Sequence, residues 1–490
     1  MTSHQHHHDG HTGHATHTHG EHRHGGHEHG HGPVVHGVSD DAPAAYAAAY
    51  EAAVPDAGRS VVHIDLDARE IDWEFTPGRV TRAWGFNGQI PGPTLEAHVG
   101  DVLEVRFTNR LPEPTTIHWH GLQIPAAMDG TDMVQHPVAP GATFTYRFRL
   151  PDAGTFWYHP HSNEVVQLER GLYGAIVVRG PNEPQLDADR VLVLDDVELD
   201  RAGQIKPPGW WIEQHDGRQG STRLVNGKKE PELTIAGGQI ERWRIINASS
   251  ARYIRLSIGG RPFTILGTDG GLIDAPVTVS EALMTPADRL DIAVGPFAEG
   301  ETLRIESLAY KRGTVGWSKT DQYATLRVGS PAPSRARLPE TLRKIEPLVT
   351  GPVSATREVH LGERPSLRHG VDFLINNEQH HRDKPAKVGE LQVWDIINDT
   401  SMDHPFHLHG FFFQVLDEKD EPVRPLAWKD TVNVPYKKSL RVVVRFNDRP
   451  GVWMFHCHIL DHADGGLMGN VQVGIPPSGL EFTPLSHRHP

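Results

Sequence analysis

Four pairs of the form His-x-His stand out: His118 and His120 in HWHG, His159 and His161 in WYHPHS, His407 and His409 in HPFHLHG, and His456 and His458 in HCH. On an extended segment, residues i and i+2 project to one face, so each pair offers two imidazoles to the same side. Pro160 reinforces this by pushing His159 into the extended region. The same alternation sends Cys457, the single cysteine of the chain, to the face opposite His456 and His458. A thiolate on one side and two imidazoles on the other can serve two metal sites, with a short covalent path for electrons between them. His404 and His462 are the imidazoles left to complete a Cys-His-His trigonal set, the arrangement associated with blue copper. Histidines without such pairing, among them His136, His215, His360, His380 and His381, are expected to be ordinary surface or loop residues.

The elements that must position these residues show up as a repeat. GDVLEVRFTN (Gly100 to Asn109) recurs as GQIERWRIIN (Gly238 to Asn247) and as GELQVWDIIN (Gly389 to Asn398), each a Gly turn, an apolar-containing strand and an Asn turn. The spacing is that of three domain copies, each long enough for a β-sandwich. A second match links the outer copies only. DAGTFWYHPHS (Asp152 to Ser162) resembles RPGVWMFHCHI (Arg449 to Ile459), and GLYGAIVV (Gly171 to Val178) resembles GLMGNVQV (Gly466 to Val473). Domains one and three therefore share a chemistry that domain two lacks. Pro-rich stretches near Gly180 to Pro184 and Pro331 to Pro339 suit linkers.

Bulk composition agrees with this layout. A chain of 490 residues exceeds what one core serves, and 49 Gly and 38 Pro among short β-branched runs favour an all-β fold with few, short helices. The formal net charge of -14 argues against a surface that tracks phosphates, which excludes nucleic acid as a partner. No run of about 20 apolar residues is present, so no membrane helix is expected. One cysteine cannot form an intramolecular disulfide. No apolar signal core or Arg-Arg pair is visible, so the compartment stays open between the cytoplasm and export after removal of a leader. Residues 1 to 32 hold thirteen of the 34 histidines with almost no apolar residue. They read as a disordered tail that could hold extra copper.

HWHG, HPHS, HPFHLHG and HCHxxxH, in that order on three repeated domains, resemble the four signatures of the multicopper oxidase family, and the resemblance covers residues 60 to 475. It implies an all-β fold of three cupredoxin-like Greek-key sandwich or barrel domains, at 56–182, 183–340 and 341–490, after a tail and leader at 1–55. It implies four copper ions. Carried over by position, His404, Cys457 and His462 become type 1 ligands, and His118 and His407 type 2 ligands. His120, His159 and His458 fall on one type 3 copper, and His161, His409 and His456 on the other. The trinuclear cluster should then lie between domains one and three. The reaction implied is one-electron oxidation of a small reducing substrate at type 1 copper, transfer through Cys457 and four-electron reduction of O2 to water.

Departures from the family pattern sharpen the expectation. Asp129 matches the acidic residue that brings protons to the cluster. The second family carboxylate is replaced by Ala463, with Asp464 as the substitute. Leu467 stands where many bacterial relatives have an axial methionine; leucine cannot coordinate, so a raised type 1 potential is expected, with Met468 the competing residue. The leading substrate expectation is laccase-like, phenols and aromatic amines. The alternative is a metal oxidase acting on Cu(I), Fe(II) or Mn(II), which the His-rich tail would suit. The seven methionines are scattered, so no methionine-rich insert is present. A monomer is expected.

Overall fold

The computed structural model describes residues 60–209, 211–349, 352–367 and 370–474. The histidine-rich tail at 1–32 and the whole leader, through residue 59, lie outside the described residues.

Each of the three repeated decapeptides forms the middle of a sheet. Val102–Asn109 runs parallel to Val61–Thr76 and antiparallel to Thr143–Arg149. Glu241–Asn247 repeats the arrangement between Ala188–Val197 and Arg289–Val294, and Glu390–Asn398 repeats it between Ala355–Ser366 and Ser439–Phe446. A second sheet faces each of these, giving three cupredoxin-like sandwiches, each with its own apolar core.

The terminal Asn of the repeat explains why the motif recurs. Asn109, Asn247 and Asn398 are all buried. In each, Nδ2 donates to two backbone carbonyls of the following crossover: Glu113 and Val138, Arg252 and Met284, Met402 and Val434. Its Oδ1 accepts the N–H two residues on, at Leu111, Ser249 and Thr400. One side chain thus saturates backbone groups that would otherwise be buried without partners.

The second domain carries no His-x-His pair and contributes a polar face instead. Alternation in Glu241–Asn247 sends Trp243 and Ile245 into its core. Arg242 and Arg244 on the other face pair with Asp291, Glu183 and Asp189, and Arg244 Nη1 also donates to Thr155 in the first domain. Helices are brief: Glu164–Gln167, Trp211–Asp216 and Leu460–Asp464. No described helix is long and apolar enough to cross a membrane.

Candidate metal centre

Two pairs of neighbouring strands bring the histidines together. In the first domain His118–His120 lies antiparallel to Gly154–His159, so that His118 faces His159. In the third, His404–Leu408 lies antiparallel to Gly451–Cys457, placing His407 opposite His456 and Phe406 opposite Cys457. The alternation expected around Cys457 is present. Cys457 groups with His404 and His462, His456 with His161 and His409, and His458 with His120 and His159. His118 and His407 meet alongside His120. Eight imidazoles, four from each outer domain, therefore surround one interior space, and all are buried.

Hydrogen bonds on the outer edges fix which nitrogen faces inward in seven of the eight rings, all but His458. A carbonyl can only accept, so Nδ1–H donates from His118 to Asp129 O (2.8 Å), from His407 to Asp430 O (2.9 Å), from His159 to Pro160 O (2.8 Å) and from His456 to Cys457 O (2.9 Å). Carboxylates take the outer nitrogens of His409 (Asp129, 2.8 Å), His120 (Asp430, 3.2 Å) and His161 (Glu164). The inward nitrogens are thereby left as lone pairs. Those of His118, His120, His159, His161 and His407 have no hydrogen-bond partner, and neither has either nitrogen of His458. His409 Nε2 and His456 Nε2 point at each other across 3.1 Å. Two lone pairs at that distance repel unless a cation lies between them, so the donor set fits bound metal.

The thiolate group repeats the logic. His404 Nε2–H donates to the Thr400 hydroxyl (2.7 Å) and His462 Nε2–H to the His215 carbonyl (2.9 Å). Both Nδ1 atoms then face Cys457 Sγ, at 3.3 and 3.6 Å. An imidazole–imidazole–thiol set is that of a soft to borderline transition metal such as copper.

Burial sets the charge states. It holds His120, His159, His409, His456, His458 and His462 well below their ordinary range, and His404 down at about 3, all in the neutral form a metal requires. Burial also pushes the Cys457 thiol up, so the thiolate forms only with a cation beside it. His161 is the exception: burial would lower it, but Glu164 raises it.

Asp129 lies in this shell, its Oδ2 on His409 and its Oδ1 3.4 Å from His118 Nδ1. Gly130, at φ +81°, lets that loop close, since a Cβ there would run into the Ile117 carbonyl. Asp464 is exposed, whereas Asp461 three residues earlier is buried and accepts the Arg218 N–H at 2.8 Å. Leu467 is fully buried in the core that holds Cys457, and its carbonyl accepts the Cys457 N–H (3.1 Å). Met468 is half-buried and stands opposite His456.

Spacing alone gave no sign of Asp430 and Arg289. Asp430 takes His120 on its side chain and His407 on its carbonyl, and is gripped by Arg289 from the second domain. Burial opposes its charge, yet Arg289 holds the Asp430 carboxyl well below the usual range. Gly121 of HWHG leaves room for that guanidinium, which a Cβ would meet. The signal in the sequence is that single Gly, which carries no information about its partner.

His215, expected to be an ordinary loop residue, instead belongs to this region. The helix Trp211–Asp216 brings its carbonyl onto His462, and Phe373 stacks on the same ring at 4.1 Å. His462 is sealed from solvent.

Family descriptions reading multicopper oxidase match residues 67–183, 190–299 and 358–476. The chain is 31% identical to the multicopper oxidase MmcO of Mycobacterium tuberculosis, over 86% of this chain and 88% of that one. It is 28% identical to a laccase of Bacillus subtilis (81% and 91%) and 30% identical to the cell division protein FtsP of Photorhabdus laumondii (84% and 89%). Among solved structures, a multicopper oxidase of Campylobacter jejuni described as a metallo-oxidase superposes with a TM-score of 0.76 at 32% identity, covering 85% of this chain and 92% of that one.

Proposed function

The chain belongs to the multicopper oxidase family and is a copper-dependent oxidoreductase that uses O2, and from that premise we propose a laccase-like enzyme with four coppers that oxidises phenols and aromatic amines one electron at a time. Type 1 copper is assigned to His404, Cys457 and His462 with Leu467 as a non-coordinating axial neighbour. Type 2 copper is assigned to His118 and His407, and the type 3 pair to His120, His159 and His458 and to His161, His409 and His456. The observation that carries this reading is the set of inward lone pairs, fixed by outer-edge bonds and left without any other partner. Domain boundaries are placed at 56–182, 183–340 and 341–490.

When bound, copper supplies the one-electron couple and the centre at which O2 is reduced to water. The protein does the rest. The His215 carbonyl, hydrogen-bonded to His462, offers donors outside the seal an outer contact with that ligand. The backbone of His456-Cys457-His458 joins the thiolate to two imidazoles of the cluster through a few covalent bonds. Asp129 orients His409 and is the carboxylate placed to pass protons inward. Asp464, exposed just beyond the ligand segment, is proposed as the second carboxylate of the relay. The histidine-rich tail is proposed to hold extra copper, and the enzyme to act as a monomer.

A second reading, oxidation of a low-valent metal ion, is favoured by one observation: the seal over His462 leaves no room for a bulky ring to touch it. A non-catalytic role is opposed by the complete ligand set. Copper analysis combined with O2 uptake separates the three. About four coppers with rapid uptake on 2,6-dimethoxyphenol support the laccase-like reading, uptake on Fe(II) alone supports metal oxidation, and no uptake with either defeats both.

A further inference from the structure

Outside the seal over His462 lies a second group of metal-ligating side chains. His215 Nδ1 lies 2.8 Å from the Asp216 carboxylate, so it carries the proton and Nε2 is the nitrogen free to bind. Nε2 faces Glu363 Oε2 at 3.5 Å and Ser401 Oγ at 3.4 Å. Glu363 Oε2 has no hydrogen-bond partner. Two ligand atoms, each about 2.1 Å from a first-row divalent cation at a tetrahedral angle, are about 3.4 Å apart. The gap between His215 and Glu363 has that width. His215 and Glu363 are 24% and 20% exposed, open enough for a cation to enter and leave.

We propose that His215, Glu363 and Ser401, with Asp216 orienting the imidazole, form a donor site for Fe(II) or a cation of the same class, from which electrons enter the enzyme. The inference rests on the metal-oxidation reading above. One imidazole, one carboxylate and one hydroxyl, with no sulfur, suit Fe(II) or Mn(II) better than Cu(I). The bound Fe(II) gives up one electron and leaves as Fe(III). The path runs from the His215 ring through its own backbone carbonyl and across the 2.9 Å hydrogen bond to His462. Four such electrons and four protons turn one O2 into two waters. One imidazole, one carboxylate and one hydroxyl leave a weak, incomplete site, as a substrate that must depart after each turnover requires.

The test uses full-length, copper-loaded enzyme beside Glu363→Gln and His215→Gln. Mn(II) is titrated anaerobically, with the EPR signal of free Mn(II) as readout. Both variants keep residues 1 to 32, so a difference from the parent reports the substituted site. Expected is at least tenfold weaker Mn(II) binding in each variant. The ratio of kcat/KM for Fe(II) to that for 2,6-dimethoxyphenol should fall at least tenfold as well, with blue absorption retained. Unchanged Mn(II) affinity overturns the proposal, and so does an unchanged ratio. A parent enzyme that oxidises the phenol but binds no Mn(II) here overturns the donor site and leaves the laccase-like reading standing. No O2 uptake with any donor defeats the function proposed above, and the Mn(II) titration still decides whether the cation site exists.

Discussion

Every metal-facing histidine except His458 has two jobs on two nitrogens, and the outer one decides the inner. Asp129 is the side chain where this matters most, because it orients His409 and approaches His118 from one buried position. Asp129→Asn keeps the shape and removes the charge. Outer-shell changes of this kind typically cost about 10–100-fold in activity or metal affinity. O2 reduction by the reduced variant, followed by stopped flow, should slow within that range while the blue absorption at Cys457 persists; unchanged rates would remove Asp129 from proton delivery. At this scale the sequence was informative, because period-2 spacing is a direct statement about which face a side chain takes. It was silent about Asp430, Arg289 and Glu363, which act at a distance in the chain and have no local spacing to betray them. His215 was misjudged for the same reason: its role depends on a backbone carbonyl, and every residue has one.

At the scale of elements, the recurring strand and its terminal Asn are the unit that places the ligands. Asn398 is the most consequential copy, since its Nδ2 donates to the Met402 carbonyl and its Oδ1 accepts from Thr400, the residue that orients His404. Asn398→Ala leaves buried backbone carbonyls unpaired, at about 1–3 kcal/mol each. Thermal unfolding of the copper-free protein should show a loss of about 3 kcal/mol, and the loaded variant should show a shifted blue band. A change under about 0.5 kcal/mol, the size expected for a surface position, would contradict the role given to the repeat. The three sandwiches could be anticipated because the repeat preserved its Gly and Asn turns. The polar face of the second domain could not, since Arg242 and Arg244 read as the solvent side of a strand until Asp291, Glu183 and Asp189 are brought against them.

The whole molecule is held together where all three domains meet behind the metal centre. Glu169 from the first domain pairs with Arg218 of the second at 3.1 Å, and Arg218 in turn bonds Asp461 of the third. Burial dominates at Glu169 and outweighs Arg218, raising its carboxyl from 4.5 to about 7. The folded protein therefore binds a proton more tightly than the unfolded chain between those values. The stability this contributes is present below pH 4.5 and is lost as pH rises through 7. Glu169→Gln cannot titrate, so the stability of the parent relative to this variant should fall across pH 4.5 to 7, by about 3 kcal/mol at about 1.4 kcal/mol per unit, and stay flat outside it. Chemical denaturation at a series of pH values measures it; a flat difference throughout would mean that Arg218 keeps the carboxylate charged.

The central claim is that Cys457 alone supplies the thiolate for one metal site while its two neighbours serve the others. Copper content and visible absorption of Cys457→Ser, measured beside the parent protein with residues 1 to 32 removed from both, address it directly. The geometry predicts the loss of one copper and of the blue band, with the histidine-lined coppers retained and O2 uptake abolished. Retention of the blue band, or loss of every copper at once, would contradict it.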